Sequence, residues 1–232
     1  MKALAVIPAR GGSKRLPGKN IRDFAGKPML TWSVETALES GLFDTVMVST
    51  DSEEIAAVAR TAGATVPFLR SAETADDHAI LLDVMAEVVD RYDQNGQRFD
   101  RLCCILPTAP LLRPSTLKHA AGLMAAGDFD TVFPVVAFSY PIQRALRRDA
   151  DGHTAMRQPE HYASRSQDLE PAFHDAGQFY WMTREVCLSK QPMFAGRAGS
   201  FVIDEMEAQD IDTLTDWRLA ELKMQARLEA VG

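Results

Sequence analysis

The stretch Lys2-Ala3-Leu4-Ala5-Val6-Ile7-Pro8-Ala9-Arg10-Gly11-Gly12-Ser13-Lys14-Arg15-Leu16-Pro17-Gly18-Lys19-Asn20 decides how the fold is read. Its first half is a short, continuously apolar run, the pattern of a strand buried on both faces. Its second half is a loop rich in glycine and cations. Glycine lets a backbone approach a ligand closely and turn its N–H groups toward an anion. Arg10, Lys14, Arg15 and Lys19 put four positive charges within ten residues. A triphosphate suits that chemistry. The loop has no G-x-G-x-x-G. It is not a P-loop either: five residues separate Gly12 from Gly18-Lys19 where that motif has four, and Asn20 stands where a magnesium-binding Ser or Thr belongs. A solvated basic loop is the competing reading. The coincidence of glycines, charge and a strand end favours a phosphate site.

Outward from this stretch, strand and helix signals alternate. Pro28 suits a helix start; Leu30, Val34 and Leu38 recur on one face, and Gly41 suits the stop. Residues 45–49 read as a second strand. Asp51, with Glu54 three positions on, forms a capping-box pattern before the apolar stripe Ile55, Val58, Ala59 and Ala62. Residues 65–69 read as a short strand. Asp76 or Asp77 opens a helix that turns Ile80, Leu81, Val84, Met85 and Val88 inward. Residues 101–106 form a buried strand, Ser115 begins a helix that Gly127 ends, and residues 131–136 form a further strand. This alternation predicts an α/β fold, Rossmann-like, with a mostly parallel sheet and helices on both faces. Ligands of such sheets bind at the carboxyl ends of the strands, where the basic loop emerges.

The periodicity lapses over residues 138–175, which are polar and carry Arg144, Arg147, Arg148, Arg157 and Arg165. They read as an excursion from a core of residues 1–137 and 176–232, serving as a lid, a dimer arm or both. Residues 178–182 and 201–203 return to strand character. Residues 213–230 close as a helix, with Leu214, Trp217, Leu219, Leu222 and Met224 as its apolar surface.

The chain has 232 residues and a formal net charge of -7. An acidic chain lacks the broad basic face that nucleic-acid binding needs. No apolar run reaches membrane-spanning length, and Arg10 follows the first apolar run too soon for a signal peptide. A cytoplasmic protein is expected, with no membrane partner. Cys103, Cys104 and Cys187 read as buried free thiols.

Asp210-Ile211-Asp212 carries the metal expectation. Alternate residues of an extended segment share a face, so the two carboxylates point one way and Ile211 the other. Magnesium takes one or two carboxylates plus waters and substrate phosphates. Capping of the following helix is the alternative.

The basic loop resembles the signature of the sugar-acid cytidylyltransferases, the CMP-sialic acid synthetase type. Val48-Ser49-Thr50-Asp51, Phe68-Leu69-Arg70-Ser71-Ala72-Glu73 and Leu106-Pro107-Thr108-Ala109-Pro110 with Arg113 extend the likeness over nearly the whole chain. The resemblance implies a nucleotidyltransferase-type fold and a homodimer. It implies that Arg10, Gly11, Gly12, Ser13, Lys14, Lys19, Asn20, Arg70 and Thr108 bind the nucleotide. Arg10, Lys14 and Asp212 would be catalytic, Lys14 by stabilising transition-state charge, and Asp210 and Asp212 would hold Mg²⁺. Leu106 stands where the sialic acid enzymes carry a glutamine near the sugar. The runs Tyr140-Pro141-Ile142-Gln143-Arg144-Ala145-Leu146 and Phe173-His174-Asp175-Ala176-Gly177-Gln178-Phe179-Tyr180-Trp181 look like the pseudaminic acid branch of the family. Arg165, His174, Gln178 and Tyr180 would then meet the sugar.

The activity implied by the resemblance is transfer of CMP from CTP to an acidic nine-carbon sugar, pseudaminic acid, with release of pyrophosphate. Sialic, legionaminic and keto-deoxy-octulosonic acids are the alternative acceptors. A CTP-binding regulator without turnover is the reading from another class. CTP binding without product would distinguish it. Sugar-1-phosphate nucleotidylyltransferases usually carry a Gly-x-Gly-Thr-Arg type loop, absent here.

Overall fold

The computed structural model describes residues 1–12, 15–76, 79–189 and 192–230. In chain order the strands and helices are β1 (Ala3–Pro8), β2 (Asp23–Phe24), β3 (Lys27–Pro28), α1 (Met29–Ser40), β4 (Thr45–Ser49) and α2 (Glu53–Thr61). There follow α3 (Ala72–Ala75), α4 (Leu81–Gln94), β5 (Arg101–Ile105), α5 (Pro114–Ala125) and β6 (Thr131–Ala137). The chain continues with β7 (Leu146–Arg148), β8 (Thr154–Met156), β9 (Phe173–Asp175), β10 (Phe179–Thr183), α6 (Arg184–Ser189), β11 (Ala198–Val202) and α7 (Leu214–Glu229).

The central sheet has the order β11-β6-β10-β5-β1-β4, with β9 paired to β6. β4, β1, β5, β6 and β11 run one way; β10, inserted between β5 and β6, and β9 run the other. The sheet is therefore mostly parallel. Strand parity builds its two cores. Ala5 and Ile7 pack with Leu30 and Val34 of α1, Ile55 of α2 and Leu117 of α5. Leu4 and Val6 face the other way, onto Leu82, Met85 and Val88 of α4 and Cys187 of α6. All three cysteines are buried and free.

Several local expectations are corrected. The cap of α2 is Ser52, whose Oγ accepts the Ile55 N–H. Asp51 lies one residue too early and does other work. Residues 65–69 form no strand: Thr65 makes a single bridge to Met47. The fourth helix begins at Leu81, where the Asp83 carboxylate accepts the Ile80 N–H, and Ile80 itself is exposed. Asp76 precedes that start as the C-cap of α3, and Asp77 lies outside the described residues. Leu38 of α1 is more exposed than Leu30 and Val34. In α7 the inward face is Trp217, Ala220 and Met224, a three-and-four spacing, while Leu214, Leu219 and Leu222 are exposed.

Between β6 and β9 the chain leaves the sheet. It forms the β7–β8 hairpin and short 3-10 turns, and returns through β9. Tyr140, Ile142, Leu146 and Tyr162 are exposed along this excursion.

One small core joins segments far apart in sequence. Leu16 of the basic loop and Ile211 of the acidic segment are both buried among Phe24, Met29, Leu111, Trp217, Ala220 and Met224. Burying these two apolar side chains together brings their charged neighbours face to face.

Candidate active site

A cavity of about 540 Å³ opens at the carboxyl ends of β1 and β5. Its lining falls into a basic wall of Pro8, Arg10, Arg15, Lys19 and Asn20, a floor of Leu106, Pro107 and Thr108 that follows β5, and an acidic wall of Asp210 and Asp212, the two walls meeting where Arg15 and Lys19 reach Asp212.

The basic wall is held at its flanks. The Asp51 carboxylate accepts the Gly11 N–H at 2.9 Å. Asn20 is buried and donates its amide to the Arg10 carbonyl at 3.0 Å, closing the loop on itself. Its amide oxygen is buried without a hydrogen-bond partner among the described residues. The Lys19 ammonium donates to the Ile211 carbonyl at 2.8 Å and stands 3.6 Å from the Asp212 carboxylate. Arg15 pairs with the same carboxylate. The Arg15 side chain is 72% exposed. A pair so solvated contributes under about 1 kcal/mol, so a phosphate competes for that guanidinium on easy terms. Ser13 and Lys14 lie outside the described residues. Gly12 is exposed in the loop.

On the acidic wall, the expected parity is present: Ile211 is fully buried, while Asp210 and Asp212 both line the cavity. The capping alternative falls to their neighbours. Thr213 and Asp216 form a reciprocal capping box on α7, Thr213 Oγ1 accepting the Asp216 N–H at 3.2 Å and the Asp216 carboxylate accepting the Thr213 N–H at 2.7 Å. Asp210 and Asp212 are thereby released from capping. Burial, followed by the Asp212 charge, pushes the Asp210 carboxyl above its ordinary range, against a smaller opposing effect of Lys19. Two neighbouring carboxylates that repel each other, Asp210 open to solvent and Asp212 half-buried, form a donor set that a hard divalent cation relieves.

The loop bearing them is stitched in place. Lys223 of α7 donates to the Glu205 and Ala208 carbonyls, both at 2.8 Å. Arg113 pairs with the Glu207 carboxylate at 3.2 Å. Gln178 donates its amide to the Glu207 carbonyl.

The remaining candidates, Thr108 on the floor excepted, stand apart from the cavity wall. Arg70 is buried at the end of β4, donating through Nε to Ser49 Oγ at 3.1 Å and through a terminal nitrogen to the Ser49 carbonyl at 2.6 Å. Burial lowers its pKa, with Asp51 and Glu87 opposing. Thr108 is buried on the cavity floor. Arg165 lies exposed on the excursion, in a two-pronged pair with Asp168 at 2.7 and 3.2 Å. His174 is exposed on β9, its ring edge against Phe138. Gln178 and Tyr180 are buried; Tyr180 donates its hydroxyl to Asp175.

Sequence reading underrated Asp51, Arg15 and Lys223. Asp51 carries the same local signal as a helix cap, and only the 40-residue return to Gly11 reveals its task. Lys223 looks like any solvated helix lysine. Arg15 was visible as charge, but its meeting with Asp212 depends on the shared burial of Leu16 and Ile211.

The chain is similar to known proteins in both sequence and fold. The sequence profile of the family described as Cytidylyltransferase matches residues 4–229. The pseudaminic acid cytidylyltransferase of Campylobacter jejuni subsp. jejuni serotype O:2 is 41% identical over 230 residues, 99% of each chain. The CMP-N,N'-diacetyllegionaminic acid synthase of Legionella pneumophila subsp. pneumophila is 33% identical over 240 residues, 100% of each. Among solved structures, CMP:2-keto-3-deoxy-manno-octonic acid synthetase complexed with CTP matches with a TM-score of 0.73 at 22% identity, over 98% of this chain and 100% of that one. That likeness is one of fold.

Proposed function

The chain belongs to the cytidylyltransferase family, and from that premise we propose that it transfers CMP from CTP to the anomeric hydroxyl of pseudaminic acid. The observation that carries the chemistry is one cavity with cations on one wall and a carboxylate pair on the other. In the reaction the sugar hydroxyl loses its proton to solvent as its oxygen forms a bond to the α-phosphorus, the bond from that phosphorus to the bridging oxygen breaks, and pyrophosphate leaves. The protein's part is orientation and charge neutralisation. Arg10, Lys14 and Lys19 serve the triphosphate, with Lys14 and Arg10 acting on the charge that develops. Backbone N–H groups of Gly12 and Ser13 serve the phosphates while Asp51 engages that of Gly11, and Asn20, Thr108 and Arg70 serve the rest of the nucleotide. Asp210 and Asp212 would hold Mg²⁺, which supplies positive charge against the phosphates.

Pseudaminic acid is favoured as acceptor by the 41% identity over nearly the whole chain and by the apolar Leu106 on the cavity floor. Arg165 and His174 are the candidates to hold the sugar, a planar guanidinium being suited to its carboxylate. A homodimer is proposed, with residues 138–175 reaching toward the second copy. Tyr140, Ile142, Leu146 and Tyr162, exposed along that segment, support it. Among the described residues no helix is long and apolar enough to cross a membrane. The use of CTP favours the cytoplasm as the place of action.

The test is pyrophosphate release from CTP and Mg²⁺ with pseudaminic, legionaminic, sialic and keto-deoxy-octulosonic acids as separate acceptors. Pseudaminic acid is expected to give the fastest release. Faster release with another acid reassigns the substrate. CTP binding with no release from any acceptor overturns the transferase reading.

A further inference from the structure

The turn between β9 and β10 is built around a carboxylate that the reaction does not use. Asp175 ends β9, and both its oxygens are satisfied within the turn. One accepts the Gly177 N–H at 3.0 Å, and the other accepts the Tyr180 hydroxyl. The Tyr180 ring is buried, 6.0 Å from Phe133 between centroids, so its hydroxyl is anchored in the core. Gly177 has a φ of +62°, a left-handed conformation that Asp175 holds in place. The Gly177 turn lies beside the Asp210 side chain: a methyl group built on Gly177 would come into ordinary contact with it, 3.8 Å from Asp210 Cβ and 3.9 Å from Cγ. The next residue, Gln178, donates to the Glu207 carbonyl on the same acidic loop.

We infer that Tyr180 and Asp175 are positioning residues: together they fix the Gly177 turn as the backstop that aims the Asp210 carboxylate into the cavity. Tyr180 thus acts through Asp175 and Gly177 rather than by touching the sugar. The chain runs from hydroxyl to carboxylate and from carboxylate to backbone N–H, in a turn that adjoins the Asp210 side chain. Partners behind a metal-binding carboxylate commonly set metal affinity. The inference rests on Asp210 being a metal carboxylate.

The experiment titrates Mn²⁺ into nucleotide-free protein and follows the electron paramagnetic resonance of free Mn²⁺. Metal-free CTP affinity by calorimetry and melting by circular dichroism are measured alongside. Asp210→Asn is expected to remove most Mn²⁺ binding. Tyr180→Phe and Asp175→Ala are expected to raise the Mn²⁺ Kd about tenfold while the metal-free CTP Kd stays within about twofold. Asp175→Asn keeps an oxygen for the Gly177 N–H and is expected to recover much of the loss. Should Asp175→Ala fail to fold, Tyr180→Phe, which removes one hydroxyl, decides. Unchanged Mn²⁺ affinity in Tyr180→Phe overturns the inference, as does an equal loss of metal and CTP binding. Unchanged Mn²⁺ binding in Asp210→Asn instead removes the metal assignment on which it stands.

Discussion

The two walls of the cavity are built on opposite plans. The basic wall presents long side chains from a loop secured at its flanks, by Asp51 on Gly11 and by Asn20 on the Arg10 carbonyl. Arg15 reaches Asp212 from a largely solvated position. The acidic wall presents short side chains from a segment fastened on several sides. Lys223, Arg113 and Gln178 hold residues 205–208, and the Thr213–Asp216 box fixes the far end. The difference fits two tasks. Cations that must follow a polyanion gain from reach and several rotatable bonds. Carboxylates that must bind a cation from a fixed direction gain from being aimed beforehand.

The largest expected effect tests the acidic wall. Asp212→Ala should lower kcat by about a hundredfold or more while the far-ultraviolet circular dichroism is retained; unchanged turnover would remove Asp212 from the metal role. Next comes the basic wall. Lys14→Ala should lower kcat by roughly a hundredfold with a smaller change in CTP affinity. A pure affinity loss would make Lys14 a binding residue only. Asp51→Ala should release the Gly11 end of the loop and raise the KM for CTP about fivefold, the value of one ordinary hydrogen bond. The smallest effect is expected at Thr213→Ala. Loss of the cap should cost about 1 kcal/mol of stability and lower the melting temperature by about 2–4 °C.

The acidic wall also has an internal contrast in pH response. The Thr213 hydroxyl and nearby backbone N–H groups hold the Asp216 carboxyl below its ordinary value. Its contribution to stability is present above the unfolded pKa and is lost as pH falls through the folded one. Asp210 has the opposite sign. Burial and Asp212 raise its pKa, so its contribution is present below the unfolded value and is lost as pH rises through the folded one. Metal-free Asp210→Asn should therefore melt higher than the unaltered chain at neutral pH, while losing activity. A lower melting temperature would contradict the repulsion between the two carboxylates.

Sequence revealed each wall to a different depth. The basic loop was legible because glycine, charge and an apolar run are local features. Alternation about Ile211 made Asp210 and Asp212 legible as two carboxylates sharing a face, while the family resemblance, and not parity, favoured a metal over capping. Their release from capping was not legible, because Asp212, Thr213 and Asp216 all suit the first turn of a helix. Asp51 and Ser52 are equivalent as caps by residue type, and backbone placement chose Ser52. The antiparallel insertion of β10 between β5 and β6 carries no local mark: a buried strand looks the same in either direction. The burial of Tyr180 and Gln178 followed from that insertion, so residues expected at the sugar are held in contacts within the fold. In α7 the exposed leucines could not be told from the buried Trp217 and Met224 until the position of Leu16 and Ile211 fixed which face turns inward.

The most direct measurement is pyrophosphate release from CTP, pseudaminic acid and Mg²⁺ by the unaltered chain and by Asp212→Asn, side by side. Opposed charged walls predict steady release from the unaltered chain and a fall of about a hundredfold in the variant, with the fold retained. Equal rates from the two proteins would contradict that assignment of the cavity.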